Sequence, residues 1–302
     1  MSGAATSLAV PFLDLRAQHE TIKDKLLQEF SDLIDSSSFT NGRAVVDFER
    51  VFADYVGTRH AVGVANGLDA LRLGLLAADL EPGDEVIVPA ATFIATLEAV
   101  TQAGGRPAVV DISETDWNLD VRLAEAAVSS RTRFVLPVHL YGQSADMLAL
   151  GALAARHELA IVEDACQAHG AERDGIRAGA YGRAAAFSFY PGKNLGAFGD
   201  AGALTTNDEA LAERVRSLRE HGQRTKYAHD VIGYTSRLDT IQALVLLAKL
   251  ESLDSWNEER RQLALYYLDA LAGVGDLELP PVAPNSVPVW HLFVVRTATP
   301  LT

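Results

Sequence analysis

The sequence is poor in cysteine and has no long apolar run. Cys166 is the one cysteine among 302 residues, which excludes a disulfide framework within the chain and is typical of a reducing compartment. No stretch of about 18 apolar residues is present that could span a membrane. The first twenty residues lack a basic segment followed by an apolar run, so we expect no signal peptide. These features favour a cytoplasmic protein without a membrane partner.

Positive charge is also scarce. Lys and Arg total 26 against 40 Asp and Glu, which gives a formal net charge of −14 at pH 7. A broad basic surface for nucleic acid is therefore excluded, and an anionic ligand would have to be held by backbone amides, helix N-termini or a few local cations. No G-x-G-x-x-G pattern follows a strand, so a Gly-rich dinucleotide site is not supported, and we assign no metal site.

The remaining composition is that of an ordinary globular protein, with 48% hydrophobic and 22% charged residues in a length that suits about two domains. Short, continuous apolar runs alternate with helical patterns between about residues 60 and 210. This rhythm predicts an α/β fold with a mostly parallel seven-stranded sheet and helices on both faces. The predicted strands are 60–66, 85–90, 106–112, 133–140, 159–165, 184–190 and 202–207. The predicted helices are 69–78, 92–103, 147–157, 208–221 and 236–272, the last broken near Asp254-Ser255.

The end of the chain predicts a second, smaller unit. Residues 280–290 are rich in proline, and the apolar run 289–296 predicts one more strand. The chain then stops at Thr302 without a closing helix. We therefore divide it into an N-terminal segment with a large domain, 1–253, and an incomplete small α+β domain, 254–302.

The stretch SFYPGKNLGAFGDAG, residues 188–202, contains the first candidate for chemistry. Lys193 follows a predicted buried strand and is surrounded by proline, glycine and aromatic residues. An amine at a strand end can form a Schiff base with a carbonyl compound, and burial would favour the neutral, nucleophilic amine. The simpler alternative is a solvated loop lysine. A phosphate-binding P-loop is not supported, because the order G-x-x-x-x-G-K-[ST] is absent.

A second candidate is the stretch EDACQAHGA, residues 163–171. Asp164 ends a predicted strand, where a carboxylate aimed into the cleft can hold a cationic ring nitrogen such as that of pyridoxal 5'-phosphate (PLP). The alternative for Asp164 is a helix N-cap. Gln167 could hydrogen-bond a ring substituent, and His169 is equally compatible with a polar core residue and with a site residue.

Two weaker signals lie earlier in the chain. The run VANGLDALRLGLLA, residues 64–77, places Asn66-Gly67 at the start of a helix, where backbone N–H groups and the helix dipole can bind a phosphate. Many α/β proteins contain such a turn. Phe93, in PAATFIAT, begins the next helix and could stack on a flat ring, although core packing is the simpler interpretation.

Taken in this order and spacing, the motifs resemble the DegT/DnrJ/StrS family of PLP-dependent nucleotide-sugar aminotransferases, which have the aspartate-aminotransferase fold (fold type I). The similarity extends from PFLDLRAQ (11–18) to WHLFVVR (290–296), and SFYPGKNLGAFGD is its most specific run. It implies a PLP cofactor and a homodimer with the active site at the subunit interface. It also implies transfer of an amino group from L-glutamate to a keto carbon of a nucleotide-linked deoxysugar. We favour a dTDP-3-keto-6-deoxyhexose over a 4-keto-sugar.

The resemblance implies individual roles as well. Lys193 would form the Schiff base and then act as the acid and base, while Asp164 would pair with the pyridine nitrogen. The other implied cofactor contacts are the backbone amides of Gly67 and Leu68, the ring of Phe93, the side chains of Gln167 and Ser188, and Thr235 of the neighbouring subunit. The loop with His221, Gln223, Lys226, Tyr227 and His229 would line the sugar-nucleotide site, the alternative being a solvated polar loop.

The chain departs from the family pattern in three places. Leu68 stands where the family usually has threonine, and Thr235 where it usually has asparagine. Each change would weaken phosphate binding by about 1 kcal/mol for each hydrogen bond lost. Family members also usually continue well beyond HLFVVR. These departures keep a non-catalytic PLP-binding or regulatory homologue open as an alternative, whereas a dehydratase of the same fold would have histidine in place of Lys193.

Overall fold

The computed structural model describes residue 11 and residues 13–298, so part of the PFLDLRAQ run and the final residues of the chain lie outside the described residues. The helices are α1 Arg16–Glu20, α2 Lys23–Ser36, α3 Arg43–Val56, α4 Gly67–Ala77, α5 Ile94–Gln102, α6 Val121–Ala126, α7 Met147–His157, α8 Glu209–Arg219, α9 Thr240–Leu250 and α10 Leu253–Ala270. The strands are β1 His60–Val64, β2 Glu85–Pro89, β3 Arg106–Val110, β4 Thr132–Val135, β5 Ala160–Asp164, β6 Glu172–Arg173, β7 Ile176–Arg177, β8 Ala184–Ser188, β9 Gly202–Thr206, β10 Gln223–Thr225, β11 Ala228–His229, β12 Leu277–Glu278, β13 Ser286–Val287 and β14 Arg296–Thr297.

The predicted seven-stranded sheet is confirmed. Its strand order is β1-β9-β8-β5-β4-β2-β3. The pairs from β8 through β5, β4 and β2 to β3 are parallel, and β9 runs antiparallel to both of its neighbours. All seven predicted apolar runs therefore contribute a strand. The run at 133–140 contributes only its first part, because Pro137 has no N–H to donate to a neighbouring strand.

Helices cover both faces of the sheet. Val86 and Val88 of β2 pack in the cluster that includes α4 and α8, whereas Ile87 between them packs in the cluster with α7. A third cluster joins α3 and α9 to the Phe187 face of β8. Because side chains alternate across a strand, an apolar run without alternation has to be buried on both sides, which is what this packing provides.

Two expectations for the last third of the chain need correction. The break in the long helical region lies at residues 251–252, since α9 ends at Leu250 and α10 begins at Leu253. Asp254 lies in the first turn of α10, where a carboxylate is favoured by the helix dipole, and accepts a hydrogen bond from the Tyr55 hydroxyl at 2.7 Å. The sequence motif at 254–255 is therefore a helix start and not a helix end.

The single strand predicted at 289–296 is wrong. Residues 290–295 are not in a strand, and only Arg296–Thr297 pairs, with Leu277–Glu278. Trp290 has a φ of 46°, in the left-handed region that interrupts an extended run. The segment docks instead on the loop after β4, where the Val289 N–H donates to the Gly142 carbonyl at 2.9 Å.

The division into 1–253 and 254–302 stays a prediction. Among the helices of the described residues, none is long and apolar enough to cross a membrane.

Candidate active site

Several candidate residues meet at the carboxyl edge of the sheet. Asp164 is the last residue of β5, Ser188 is the last residue of β8, and Gly67 begins α4 directly after β1. A Cβ added at Gly67 would lie 2.6 Å from Ser188 Cβ and 2.8 Å from Cys166 Sγ. The start of α4 is therefore pressed against the ends of the two neighbouring segments, at the edge where parallel sheets bind ligands.

The start of α4 has the geometry of an anion site. Asn66 caps the helix, because its Oδ1 accepts the N–H of Asp69 at 2.8 Å. The N–H groups of Gly67 and Leu68 belong to the first turn, which lacks intrahelical acceptors. The Leu68 side chain packs on the hydrophobic core, so only its backbone N–H can serve a phosphate.

The carboxylate of Asp164 is buried and held from two sides. Its Oδ2 accepts a hydrogen bond from the Thr96 hydroxyl at 2.8 Å, and its Oδ1 accepts the Cys166 N–H at 3.1 Å. A turn follows β5 at this point, so the helix N-cap considered as an alternative is not formed. The Thr96 contact was not expected from the sequence, since the two residues are 68 positions apart.

Gln167 lies one turn beyond Asp164. Its Oε1 accepts the backbone N–H of Tyr141 at 2.7 Å, which fixes the amide orientation and leaves the NH₂ group as the donor end. Tyr141 itself has a φ of 57°. Such a conformation costs free energy and needs support from its surroundings, and Gln167 supplies part of that support.

Lys193 lies in a tight loop between β8 and β9. Its backbone N–H donates to the Tyr190 carbonyl at 2.8 Å, and a Cβ at Gly196 would overlap the Pro191 carbonyl oxygen. The next residue, Asn194, is buried and donates to Asn257 Oδ1 and to the Val289 carbonyl at 2.9 and 2.8 Å. The loop is therefore anchored from both sides of the lysine, as a solvated loop would not be.

His169 is a fully buried ring in the core below this loop. Its ring lies 5.5 Å from that of Phe187 and 5.6 Å from that of Phe189. Burial, and then the nearby positive charge of Lys193, lower the pKa of His169 to about 3. Of the two interpretations left open, this packing favours a neutral core residue.

Phe93 is 68% exposed immediately before α5. It is not a core residue of the described chain, so a ring is available for stacking at the carboxyl edge of the sheet. Thr235 is exposed too, and its hydroxyl lies 3.3 Å from His221 Nε2. Its neighbour Ser236 donates to Asp69 Oδ2 at 2.7 Å, which joins this loop to the first turn of α4.

The predicted substrate loop forms an exposed hairpin, β10–β11. Gln223 and Lys226 line a cavity of about 760 Å³ that is bounded by α3 and α8, whereas His221, Tyr227 and His229 are not among its lining residues. The cavity lining contains neither Lys193 nor Asp164. The chain therefore brings the cofactor candidates together and does not bring this hairpin to them.

A buried hydrogen-bonded pair, Glu163 and His139, supports the carboxyl end of β5. Glu163 accepts His139 Nε2 at 2.8 Å, and its two oxygens also accept the N–H groups of Gly179, Tyr181 and Gly182 at 2.6–2.9 Å. His139 Nδ1 accepts the Ala145 N–H, so the proton of its neutral ring is on Nε2. Neither residue was expected to pair from the sequence, because both lie among apolar neighbours within predicted strands.

Glu163 should make folding acid-sensitive. Burial alone would raise its pKa, but the hydrogen bond from His139 and those from the N–H groups of Gly182 and Gly179 outweigh burial and lower the pKa below 4.5. The stabilisation is therefore present above pH 4.5 and is lost as the pH falls through the lowered folded-state value. We expect Glu163→Gln to cost about 2–4 kcal/mol of unfolding free energy at neutral pH. In urea titrations the difference from the parent protein should shrink on acidification; equal loss in both proteins would contradict the assignment.

The chain is similar to known proteins over nearly its whole length. A model of the DegT/DnrJ/EryC1/StrS aminotransferase family matches residues 20–301. The chain belongs to this family. A relative, the dTDP-3-amino-3,4,6-trideoxy-alpha-D-glucose transaminase of Streptomyces venezuelae, is 52% identical over 297 residues, which is 98% of this chain and 78% of the relative.

Solved structures agree with the family assignment. S. venezuelae DesV in complex with a ketimine intermediate has a TM-score of 0.93 and 52% identity, over 95% of this chain and 78% of that chain. NtdA from Bacillus subtilis with bound cofactor PMP has a TM-score of 0.86 and 34% identity, over 95% of this chain and 66% of that one. The expected fold is confirmed, and the chain is a PLP-dependent aminotransferase of the DegT/DnrJ/EryC1/StrS family.

The residues at the sheet edge fit this cofactor. The α4 N-terminus offers backbone N–H groups suited to a phosphate, and the lack of a Cβ at Gly67 lets this turn lie directly against Ser188 and Cys166. Asp164 provides a buried carboxylate for a cationic ring nitrogen, and Phe93 an exposed ring for stacking. The individual roles remain predictions that variants can test.

Gly67→Ala is one such variant. Its methyl group would lie 2.6 Å from Ser188 Cβ and 2.8 Å from Cys166 Sγ, which forces the start of α4 away from β8. We expect about tenfold weaker PLP binding, since overpacking costs about 1–3 kcal/mol and displaces the phosphate donors. Fluorescence titration of the apoenzyme with PLP measures this change, and an unchanged dissociation constant would exclude Gly67 from the site.

Proposed function

We propose that this chain transfers the amino group of L-glutamate to the 3-keto carbon of a dTDP-linked 3-keto-6-deoxyhexose. The arrangement of Lys193 and Asp164 at one sheet edge supports the chemistry. The S. venezuelae relative, which is named as a transaminase of a dTDP-3-amino sugar and is 52% identical, supports the substrate class. Glutamate is converted to 2-oxoglutarate as the ketone oxygen of the sugar is replaced by an amino group, so the two halves of the reaction balance.

When bound, PLP supplies an electron sink and accepts the amino group between the two half-reactions. The Lys193 amine would hold the cofactor through its aldehyde and, once free, would move a proton from one carbon atom to another. Asp164 would hold the proton on the ring nitrogen by a charge-assisted hydrogen bond. Phe93 would stack on the ring, and the Gln167 NH₂ group would donate to the phenolic oxygen.

The phosphate of PLP needs hydrogen-bond donors in fixed positions. We assign the Ser188 hydroxyl and the N–H groups of Gly67 and Leu68 to this task, with Thr235 of a second copy as a further donor.

An assembly of two copies is supported by the exposed segment that contains the hairpin and the residues after it, in which Tyr227 is 83% and Ile232 is 94% exposed. Such apolar side chains are better explained by a covered surface than by water. We also propose a cytoplasmic location, on the strength of the single cysteine.

The loop at 221–229 of one copy is proposed to bind the nucleotide sugar at the active site of the other copy. The residues that would line that site are His221, Gln223, Lys226, Tyr227 and His229. Lys226 is exposed, and its Nζ lies 5.3 Å from the Tyr227 ring. A lysine beside an aromatic ring can meet both a diphosphate and a base, which is how an acidic protein could hold an anionic substrate.

A panel of nucleotide keto-sugars tests the substrate assignment. The protein is incubated with PLP, glutamate and either a dTDP-3-keto- or a dTDP-4-keto-6-deoxyhexose, and the products are read by mass spectrometry. We expect an amino sugar from the 3-keto compound at a rate at least about tenfold higher, a difference of about 1.4 kcal/mol in the barrier. Preference for the 4-keto compound would overturn the ketone assignment, and no product from either would favour the regulatory alternative.

A further inference from the structure

The Thr96 side chain is fully buried beside the cofactor candidates, and no role was expected for it. It lies in the first turn of α5, three residues after Phe93, and its hydroxyl meets Asp164 Oδ2 at 2.8 Å. The hydroxyl of Thr92 lies 2.7 Å from that of Thr96. The two threonines and Asp164 therefore form a continuous line of hydrogen bonds from the β2–α5 connection to the end of β5.

The directions of these hydrogen bonds follow from the chemistry. An ionised carboxylate can only accept, so Thr96 must donate its proton to Asp164. The Thr96 oxygen is then free to accept, and Thr92 donates to it. Hydrogen bonds aligned in this way polarise one another, which strengthens the contact to the carboxylate.

The same contacts fix the carboxylate plane. Oδ2 accepts from Thr96 and Oδ1 from the Cys166 N–H at 3.1 Å, one donor on each oxygen. Each oxygen keeps one further acceptor position. Thr96 and the Cys166 N–H therefore set the direction from which a cationic ring nitrogen can donate to the Asp164 carboxylate.

We propose that Thr96 is a positioning residue for the ring-nitrogen partner of the cofactor, and that Thr92 orients it. This rests on the proposed pairing of Asp164 with the pyridine nitrogen. Because Phe93 lies just before α5 and Thr96 in its first turn, one short segment sets both the plane of the ring and the direction of its nitrogen contact. Thr96 touches neither the cofactor nor the substrate in this scheme and acts through Asp164.

The test measures PLP affinity and kinetics in Thr96→Val, which keeps the shape of the side chain and removes the donor. We expect PLP binding to the apoenzyme to weaken about tenfold, the equivalent of about 1.4 kcal/mol. The turnover number kcat should fall with little change in the KM for the sugar. Thr96→Ser should restore affinity to within about twofold, and Thr92→Val should lose about threefold, since it removes only the second link.

Controls separate this role from a structural one. Thr101→Val changes an exposed threonine on the same helix, whose hydroxyl bonds only to the Leu97 carbonyl at 2.9 Å in the described contacts, and should behave as the parent. In an Asp164→Asn background, Thr96→Val should cost no further affinity. Unchanged PLP affinity in Thr96→Val, a loss that serine does not restore, or additive losses with Asp164→Asn would each overturn the proposal. Failure of the parent protein itself to bind PLP or to transaminate would instead overturn the proposed function.

Discussion

Lys193→Ala should abolish the visible absorption band of the lysine-bound cofactor and reduce transamination by at least about 10³-fold. In the proposed mechanism this amine binds the cofactor aldehyde and moves the proton, and loss of acid–base catalysis alone is worth about 10²–10⁴ in rate. The loop around it is closed by the Gly196–Pro191 approach and anchored through Asn194, so alanine should leave the backbone in place. The measurement is an absorption spectrum with added PLP, followed by a glutamate-dependent assay.

Lys23→Ala is the matched control for this experiment. Lys23 is exposed at the start of α2, and its replacement should change neither the band nor the rate. Turnover that persists in Lys193→Ala, with the protein folded by circular dichroism, would refute the role assigned to the lysine.

Asp164→Asn should give the second largest effect, a fall in kcat of about 10²-fold or more. The amide keeps the size of the carboxylate but removes its negative charge, so the ring nitrogen loses its charge-assisted partner and the electron sink is weakened. One of its ends would also become an NH₂ group facing either the Thr96 hydroxyl or the Cys166 N–H, both of which are donors now. Steady-state kinetics with saturating PLP measures the loss in kcat.

A surface control accompanies this variant as well. Asp54→Asn changes an exposed side chain that pairs only loosely with Arg50, at 3.8 Å, and should leave kcat unchanged. A rate for Asp164→Asn within about twofold of the parent would show that no charged partner is needed at the ring nitrogen, which contradicts the proposed mechanism.

The sheet could be predicted from the sequence because its strands are continuous apolar runs. A run such as AIVED at β5 has few alternatives once helical patterns flank it on both sides. The prediction of a strand at 289–296 was wrong although it rested on the same signal, an apolar run. Apolar composition predicts burial, and Val289 is indeed buried, but the positive φ of Trp290 and the docking on Gly142 are set by tertiary contacts.

The candidate site was predictable where function lies in one short motif. Asp164 is the last residue of β5 and Lys193 lies in the loop after β8, and the apolar runs of the sequence predicted both positions. Thr96 and the pair of Glu163 with His139 were missed because their partners lie 68 and 24 residues away along the chain. Which strands become neighbours decides such contacts, and the strand order β5-β4-β2 appears only in the fold.

One spectroscopic titration tests the central claim, that the site accepts an amino group from glutamate and passes it to a keto-sugar. The visible band of the PLP-loaded protein is followed while glutamate is added, and then while a dTDP-3-keto-6-deoxyhexose is added. We expect glutamate to bleach the band and the keto-sugar to restore it, since the amino group leaves the cofactor with the sugar. A band that glutamate leaves unchanged would contradict the claim, as would a bleached band that the keto-sugar does not restore.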